Sequence, residues 1–373
     1  RSGGPLAAKD WLAVRLGLIR YKYDFTGGAE RVLGLLTRGL AQRGHEVHVV
    51  ASAWQGEVPL GVSLHQVPPA KPTAWAAAAL DAAKGLNLDS FLSMERVPGC
   101  PVFRAGDGVH AAWLERRAPY ESRLKRLSFG LNPKHRALLS LERRTLAAPE
   151  LRHAIAISRM VAEELERFYR VPPEKIKVIY NAVDEADLAP ARQTLTRHHK
   201  REELDLAKGR PVLLFLGSGW ERKGLAFALA ALARLPRVML LVAGRDRPRP
   251  WREKARALGV EDRVRFLGLQ SKVAPLLAAA DALVLPTIYD PCSIACLEAL
   301  YAGTPVVTTA AAGASELVEE GVSGVVVSAA GEVEELAAAC KKALALGKGF
   351  SHQVPSQEQW LEQTMALLEE AVS

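Results

Sequence analysis

The sequence predicts an α/β fold in which two doubly wound parallel sheets face each other across a cleft. Apolar runs of strand length alternate with helical patterns along much of the chain, which is typical of parallel sheets covered on both faces. The same strand–helix–strand plan occurs near the start and again past the middle of the chain. The length of 373 residues also suits two domains of ordinary size.

The first strand–helix–strand unit lies in residues 14–51. VRLGLI predicts a strand, apolar residues at helical spacing in 32–40 predict a helix, and HEVHVVAS predicts the second strand. Residues 211–244 repeat this plan with PVLLFLG, LAFALAALARL and RVMLLVAG. Three more strands of the second sheet are predicted by RVRFLG, DALVLPT and GTPVVTT.

These patterns divide the chain into a first domain at residues 1–190 and a second domain at residues 205–350. The segment 181–210 is polar and lacks a clear period, which suggests a connection between the two. Residues 355–373 contain an amphipathic helical pattern, and its apolar side needs a surface on which to pack.

The composition is that of an ordinary globular protein, with 49% hydrophobic and 24% charged residues. No apolar run reaches the roughly 18 residues of a membrane-spanning helix, and the first residues lack an apolar secretory core. The four cysteines form no CxxC pair, which predicts free thiols in a reducing compartment. We therefore expect a cytoplasmic protein.

Most of the excess positive charge lies in residues 111–144, which hold 9 Lys or Arg and 3 Asp or Glu. Aromatic and aliphatic residues are interleaved with these charges, and this mixture suits an anionic membrane surface. A solvated charged face is the alternative, and no recognisable motif favours nucleic acid. The candidate membrane-docking residues are Arg116, Arg117, Arg123, Lys125 and Arg126.

Two glycine-containing turns follow predicted strands. FTGGAER contains Gly27 and Gly28, which let backbone amides approach an anion at a helix start, although such a turn is also common for structural reasons alone. GSGWERKG contains Gly217, followed by Arg222 and Lys223. Adjacent cations at the end of a strand suit a diphosphate, and a solvated pair of side chains is the alternative.

A third candidate site is YDPCSIACLEAL at 289–300, where Asp290 and Glu298 bracket a segment that is otherwise small or apolar. Asp290 before a proline is consistent with a helix N-cap, which would make it structural. Glu298 lies among apolar neighbours, where a carboxylate needs a partner. The two carboxylates are able to accept hydrogen bonds from ligand hydroxyl groups. The amides of Ser293 and Ile294, at the predicted start of a helix, are able to bind an anion.

A cation pair with hydroxyl-binding acids fits a nucleotide-sugar pocket better than a dinucleotide site. Neither half carries the full glycine fingerprint of NAD binding, and the chain has no phosphate-binding P-loop sequence. No two aspartates stand at positions i and i+2, so we expect catalysis with protein cations and without a metal or other cofactor.

The acid–seven residues–acid segment with CLEALYAGTPVV, the GSGWERKG loop and the GGAER turn together resemble retaining glycosyltransferases of family 4. This family has the GT-B fold, in which two Rossmann-like domains face each other across a cleft. YKYDFTGGAER, LAQRGHEVHVVASAW and FRAGDGVH resemble the branch that adds glucose to the lipopolysaccharide core. The resemblance covers nearly the whole chain, and it implies that the C-terminal helix packs back on the first domain.

The resemblance also implies roles for the residues of the second half. Glu298 would bind the ribose, while Asp290, with the Ser293 and Ile294 amides nearby, would hold the donor sugar. Arg222 and Lys223 would neutralise the diphosphate leaving group.

In the first half, Gly27 and Gly28 would close over the donor. Asp107 in RAGDGVH matches an acidic position beside the reacting carbon. The alternative is that Asp107 is a turn residue with no role in the reaction. His110 would help to seat the acceptor.

The implied activity is retaining transfer of a hexose, with glucose from UDP-glucose as the expected donor, onto a lipid-linked core saccharide at the inner face of the cell membrane. The family usually has Glu at the position of Asp290 and PFG at the position of PCS, so a different sugar is possible. A covalent intermediate also stays open. The other two alternatives are an enzyme with a soluble acceptor and a non-catalytic binding module.

Overall fold

The computed structural model describes residues 14–23 and 28–372, without the side chains of residues 28–31. Its strands form two parallel sheets and a two-stranded pair. In chain order the strands are β1 (Arg15–Ile19), β2 (Lys22–Tyr23), β3 (Glu46–Ala51), β4 (Ala53–Trp54), β5 (Val62–Gln66), β6 (Ser90–Ser93), β7 (Val102–Arg104), β8 (His153–Ala156), β9 (Ile176–Val178), β10 (Val212–Leu216), β11 (Met239–Ala243), β12 (Val264–Gly268), β13 (Ala282–Leu285), β14 (Val306–Thr309) and β15 (Gly324–Val327).

The described α-helices lie between these strands and after the last one. They are α1 (Gly28–Gln42), α2 (Pro72–Lys84), α3 (His110–Arg117), α4 (Arg123–Ser128), α5 (Pro133–Leu146), α6 (Arg159–Tyr169), α7 (Glu185–Leu188), α8 (Thr194–Glu203), α9 (Leu225–Leu232), α10 (Arg249–Ala257), α11 (Ala274–Ala279), α12 (Ile294–Tyr301), α13 (Val333–Leu346) and α14 (Gln357–Glu370). No helix in this part of the chain is both long and apolar enough to span a membrane.

Each of the two large sheets reverses its winding direction once. The first sheet has the order β5-β3-β1-β6-β7-β8-β9, and the second has the order β12-β11-β10-β13-β14-β15. Every described pairing in them is parallel. The second sheet therefore reverses between β10 and β13, and ligands of such sheets bind outside the carboxyl ends of the strands at this point. The predicted α/β fold class is confirmed.

Both faces of the first sheet are covered. Leu16, Leu18 and Val49 pack in one cluster with apolar residues of α1 and α14, while Ile19 and Val50 pack with α2 on the other face. The C-terminal helix α14 contributes five fully or nearly buried side chains to the first cluster: Trp360, Leu361, Met365, Leu367 and Leu368. Helix α14 therefore crosses from the second half of the chain and packs on the first sheet.

The segment 181–210, which we predicted to be a connection of weak pattern, contains α7 and α8. Helix α8 presents Arg197 to the end of α11, where Nη1 donates to the carbonyl oxygens of Ala278, Ala279 and Ala280 at 2.9–3.1 Å. Arg197 Nη2 also lies 2.6 Å from Asp281 Oδ1. This helix is held by arginine contacts instead of apolar ones, and apolar periodicity therefore gives no sign of it.

The two halves of the chain contact each other in more than one place, and the first contact is made by the segment between β13 and α12. The Tyr289 hydroxyl donates to Glu164 Oε2 at 2.6 Å and accepts from the Val109 amide at 2.9 Å. In a second contact, the carboxylate of Glu316 accepts from the amides of Arg159 and Met160 at the start of α6, at 2.9 and 2.7 Å. A carboxylate at this position complements the positive end of the helix.

Candidate functional site

A cavity of about 270 Å³ lies between the two halves of the chain. Residues that follow β10, β11 and β13 form one side of it, and residues that end or follow β7 form the other. Eight residues predicted from the sequence to act in the site line this cavity: Asp107, Gly217, Arg222, Lys223, Asp290, Ser293, Ile294 and Glu298. The cavity thus lies outside the carboxyl ends of the strands, at the point where the second sheet reverses, which is the usual ligand site of doubly wound sheets.

The loop after β10 is fixed by an acid that follows β11. Asp246 accepts from the amide of Gly219 at 2.7 Å and from the amide of Trp220 at 3.1 Å. Gly217 has a φ of +127°, and a Cβ atom there would lie 2.9 Å from Cε of Lys223. Glycine at this position therefore gives the loop its conformation and leaves the space through which the lysine side chain reaches the cavity.

Lys223 and Arg222 converge on one carboxylate. Nζ of Lys223 lies 2.6 Å from Oδ2 of Asp290, and Nη1 of Arg222 lies 3.5 Å from the same oxygen. Lys223 also donates to the Ser293 hydroxyl at 3.3 Å, while Arg222 donates to the Tyr289 carbonyl at 2.6 Å. Lys223 and Asp290 are both buried. The two cations predicted to meet a diphosphate are therefore oriented by the protein itself.

The electrostatic balance at Asp290 favours its ionised form. Burial alone would raise the pKa of this carboxyl group, but the charges of Lys223 and Arg222 and the hydrogen bond from Lys223 outweigh burial and hold the pKa below its ordinary value. Asp290 is not an N-cap, because helix α12 begins at Ile294 with Ser293 as its N-cap. The alternative that Asp290 is a helix N-cap is therefore wrong, and its carboxylate is instead the partner of the two cations.

Glu298 is buried on α12 and lies where two cavities meet. A second cavity of about 590 Å³ shares four lining residues with the first: Val32, Val273, Ile294 and Glu298. The first cavity alone is smaller than the usual range for ligand pockets of drug size, which begins at about 300 Å³. The two together provide the room that an extended ligand needs.

The first half of the chain contributes Asp107 to the cavity. Asp107 follows β7 by three residues, and its side chain is exposed and forms no hydrogen bond or ion pair with the described residues. Gly28 is the first residue of α1, and Gly27 lies outside the described residues. The predicted closure of these glycines over a ligand therefore stays a prediction.

His110 does not line either cavity, although it is close to Asp107 in the sequence. It is the first residue of α3, where its amide donates to Glu142 at 3.0 Å and its Nε2 lies 3.0 Å from Nδ1 of His135. Burial, followed by the charge of Arg96, lowers the pKa of His110 to about 4. His110 is therefore a neutral side chain at neutral pH that lines neither cavity, and its part in seating an acceptor stays a prediction.

The basic segment divides into two parts. Arg116 lies 3.1 Å from Glu164, and Arg117 lies 2.5 Å from Glu121 and against the rings of Trp113 and Phe129. These two arginines have ion-pair partners within the protein, and their assignment to a membrane-facing set stays a prediction. The remaining candidates, Arg123, Lys125 and Arg126, lie on the exposed helix α4, where Lys125 also pairs with Glu121 at 2.8 Å.

Sequence reasoning missed Tyr289, Asn181 and Arg104, which connect the two sides of the cleft. The Asn181 side-chain amide donates to the Cys292 carbonyl at 2.9 Å, and its oxygen accepts from Nη2 of Arg104. Asparagine directly after a strand pattern and arginine at a strand end are too common to stand out in a sequence. Among the described residues, no three His, Cys, Asp or Glu side chains are grouped as a metal site requires.

Two family models match the chain, one in each half. The model described as Glycosyltransferase Family 4 matches residues 26–91 and 103–187, and the model described as Glycosyl transferases group 1 matches residues 210–345. The second match contains the GSGWERKG loop and the YDPCSIACLEAL segment, which contribute residues to the cavity. The chain is a glycosyltransferase of the GT-B fold. The resemblance to family 4 is thereby confirmed.

Individual relatives agree with this assignment. The glycosyltransferase is 28% identical to the lipopolysaccharide glucosyltransferase WaaG of Escherichia coli over 87% of its own length and 88% of the relative. A crystal structure of WaaG superposes with a TM-score of 0.78 at 26% identity, covering 96% of this chain and 95% of that one. The lipopolysaccharide core biosynthesis glycosyltransferase LpsE of Rhizobium meliloti is 37% identical over a shorter region, 39% of this chain and 43% of the relative.

The geometry of the cation pair generates a prediction about stability. Lys223→Met should destabilise the glycosyltransferase by on the order of 3 kcal/mol, because it leaves the Asp290 carboxylate buried without its closest partner. Asp290→Asn should also destabilise it. The double variant should lose less than the sum of the two single variants, because neither charge is then left without the other. Thermal unfolding of the four proteins at neutral pH measures these differences, and additive losses would show that the pair is not coupled.

Proposed function

We propose that this glycosyltransferase transfers a hexose with retention of configuration, from UDP-glucose, onto a lipid-linked core saccharide. The observation that carries the proposal is the convergence of Lys223 and Arg222 at the reversal point of the second sheet, next to the buried acids Asp290 and Glu298. The name of the WaaG relative, which is matched over 88% of its length, supports glucose as the sugar and lipopolysaccharide as the acceptor class.

The leaving group explains why the site needs two cations. Transfer breaks the bond between the anomeric carbon and a phosphate oxygen, and negative charge develops on the departing diphosphate. Lys223 and Arg222 stabilise that charge, and their orientation by Asp290 and the Tyr289 carbonyl means that little reorganisation is needed as the bond breaks. Glu298 binds the ribose hydroxyls where the two cavities meet.

The acceptor enters from the side of the first sheet, where Asp107 offers an exposed carboxylate that has no ion-pair partner among the described residues. In the proposed reaction the acceptor oxygen forms its bond to the anomeric carbon on the face from which the diphosphate leaves. The acceptor proton passes to the departing phosphate oxygen, so that no separate base is needed. Asp107 orients the acceptor hydroxyl beside the reacting carbon, and the Asp290 segment positions the sugar.

The exposed helix α4 is the proposed membrane contact. The side chains of Leu124 and Leu127 are 81% and 74% exposed, and Leu131 in the next turn is 78% exposed. Arg123 and Arg126 lie among them. Exposed leucines interspersed with arginines favour the boundary of an anionic bilayer, where a lipid-linked acceptor is presented. A soluble acceptor is the alternative, and it requires no such contact.

We predict turnover of UDP-glucose in the presence of a core oligosaccharide acceptor, with the configuration at the anomeric carbon retained in the product. Arg222→Gln should lower kcat about 100-fold, because it removes one of the two charges that face the leaving diphosphate. The matched control is Arg249→Gln, which removes a charge from a side chain that is 91% exposed. Release of UDP and the NMR coupling constant of the product are the measurements. A protein that neither binds nor turns over any UDP-sugar would refute the proposed function.

We also predict that helix α4 binds the protein to vesicles of phosphatidylglycerol and phosphatidylcholine at low salt. Replacing Arg123 and Arg126 with glutamine and Leu124 and Leu127 with serine should weaken binding at least about tenfold, since each cation near an anionic surface contributes about 1 kcal/mol. The control replaces the exposed Arg237 and Arg249 with glutamine, which gives the same change in net charge on the second half. Equal binding of both variants in a sedimentation assay would exclude α4 as the docking element.

A further inference from the structure

Arg104 is a cation in the cleft to which neither the family resemblance nor the proposed reaction gives a role. It is the last residue of β7 and lines the cavity from the side of the first sheet, opposite Lys223 and Arg222. Its side chain is almost completely buried, with 2% exposure. Arginine is seldom buried to this degree unless an anion is paired with it.

Within residues 14–23 and 32–372, whose side chains the structure describes, no carboxylate is in direct contact with Arg104. Nη2 donates to the neutral side-chain oxygen of Asn181, and Nε is buried without a hydrogen-bond partner. None of the ion pairs among the described residues includes Arg104. Burial lowers the pKa of this guanidinium group to about 10, which reflects the cost of keeping the charge in this position.

The loop after β7 keeps space for the guanidinium group. A Cβ atom at Gly106 would lie 2.5 Å from Nη1 of Arg104, so a side chain at this position would displace the group. Nη1 forms no hydrogen bond with a described residue, and Gly106 and Asp107 line the same cavity. The free donors of Arg104 thus belong to a site that a ligand is able to enter.

The other two cations of the cavity differ from Arg104 in this respect. Lys223 and Arg222 share Asp290 at 2.6 and 3.5 Å. Among the described residues the hydrogen-bond partner of Arg104 is the neutral amide of Asn181, although the planar fork of an arginine matches the two oxygens of a carboxylate or phosphate group. The group that would complete its environment is therefore an oxyanion brought by a substrate.

We propose that Arg104 binds a carboxylate or phosphate group carried by a sugar in the cleft, separate from the diphosphate of the donor. This inference rests on the proposed glycosyl transfer and adds that one of the two saccharide substrates is acidic. Two sources share this chemistry, an acidic sugar on the nucleotide and an acidic group on the acceptor. Asn181 fixes the orientation of Arg104 and links it to the Cys292 carbonyl beside Asp290.

The test compares binding of neutral and acidic probes to the wild-type protein and to Arg104→Gln. Binding of UDP measures the diphosphate contact. Comparison of UDP-glucose with UDP-glucuronate measures the effect of an acidic group on the donor sugar. Comparison of glucose with glucuronate and with glucose 6-phosphate, each in the presence of UDP, measures the effect of an acidic group on the acceptor. We expect Arg104→Gln to lose at least about tenfold in affinity for one acidic probe, as for a hydrogen bond to a charged group, while UDP affinity changes less than about twofold. Arg104→Lys should retain part of the preference for the acidic probe.

The outcomes separate the inference from the proposed function. If the wild-type protein binds UDP but no acidic probe is affected by Arg104→Gln, Arg104 is structural and the inference is wrong. If UDP and UDP-glucose lose affinity as much as the acidic probes, the partner of Arg104 is the diphosphate, which also overturns it. Failure of the wild-type protein to bind UDP would instead contradict the proposed function. Thermal unfolding of each variant confirms that the comparisons are made on folded protein.

Discussion

The buried ion pair between Lys223 and Asp290 is the contact on which the arrangement of the cleft depends. It joins the loop after β10 to the segment after β13, the two strands between which the second sheet reverses. Asp290 is also fixed through its backbone, because its amide donates to the Ala311 carbonyl at 3.1 Å and its carbonyl accepts from the Gly313 amide at 2.8 Å. A cation held in this way faces the cavity before any ligand arrives, which is the form of preorganisation that stabilises a charged leaving group.

The same segment also connects the two halves of the enzyme. Tyr289 precedes Asp290 and bonds to Glu164 and to the Val109 amide of the first half, while the Cys292 carbonyl accepts from Asn181. Any displacement of the halves relative to each other therefore changes contacts one or two residues away from the carboxylate that orients Lys223. Closure of a cleft on a donor and alignment of the cations are coupled in such an arrangement.

The second half of the fold was largely predictable from the sequence, because its strands are buried on both faces and consist of continuous apolar runs such as VLLFL and MLLVA. Short strands of the first sheet, such as β7 and β9, have three residues each and carry no comparable signal. The cavity residues of the second half were found because charges stand out after apolar strands. The sequence shows the charge of Arg116 but not its ion pair with Glu164, which lies 48 residues away along the chain.

Calorimetric titration of the protein with UDP and with UMP, both in the presence of EDTA, tests the central claim most directly. If Lys223 and Arg222 bind the diphosphate, UDP should bind at least about tenfold more tightly than UMP, a difference of about 1.4 kcal/mol, because only UDP carries the second phosphate. Equal affinities for the two nucleotides, or affinity for UDP that appears only when a divalent metal is added, would contradict this account of the cleft.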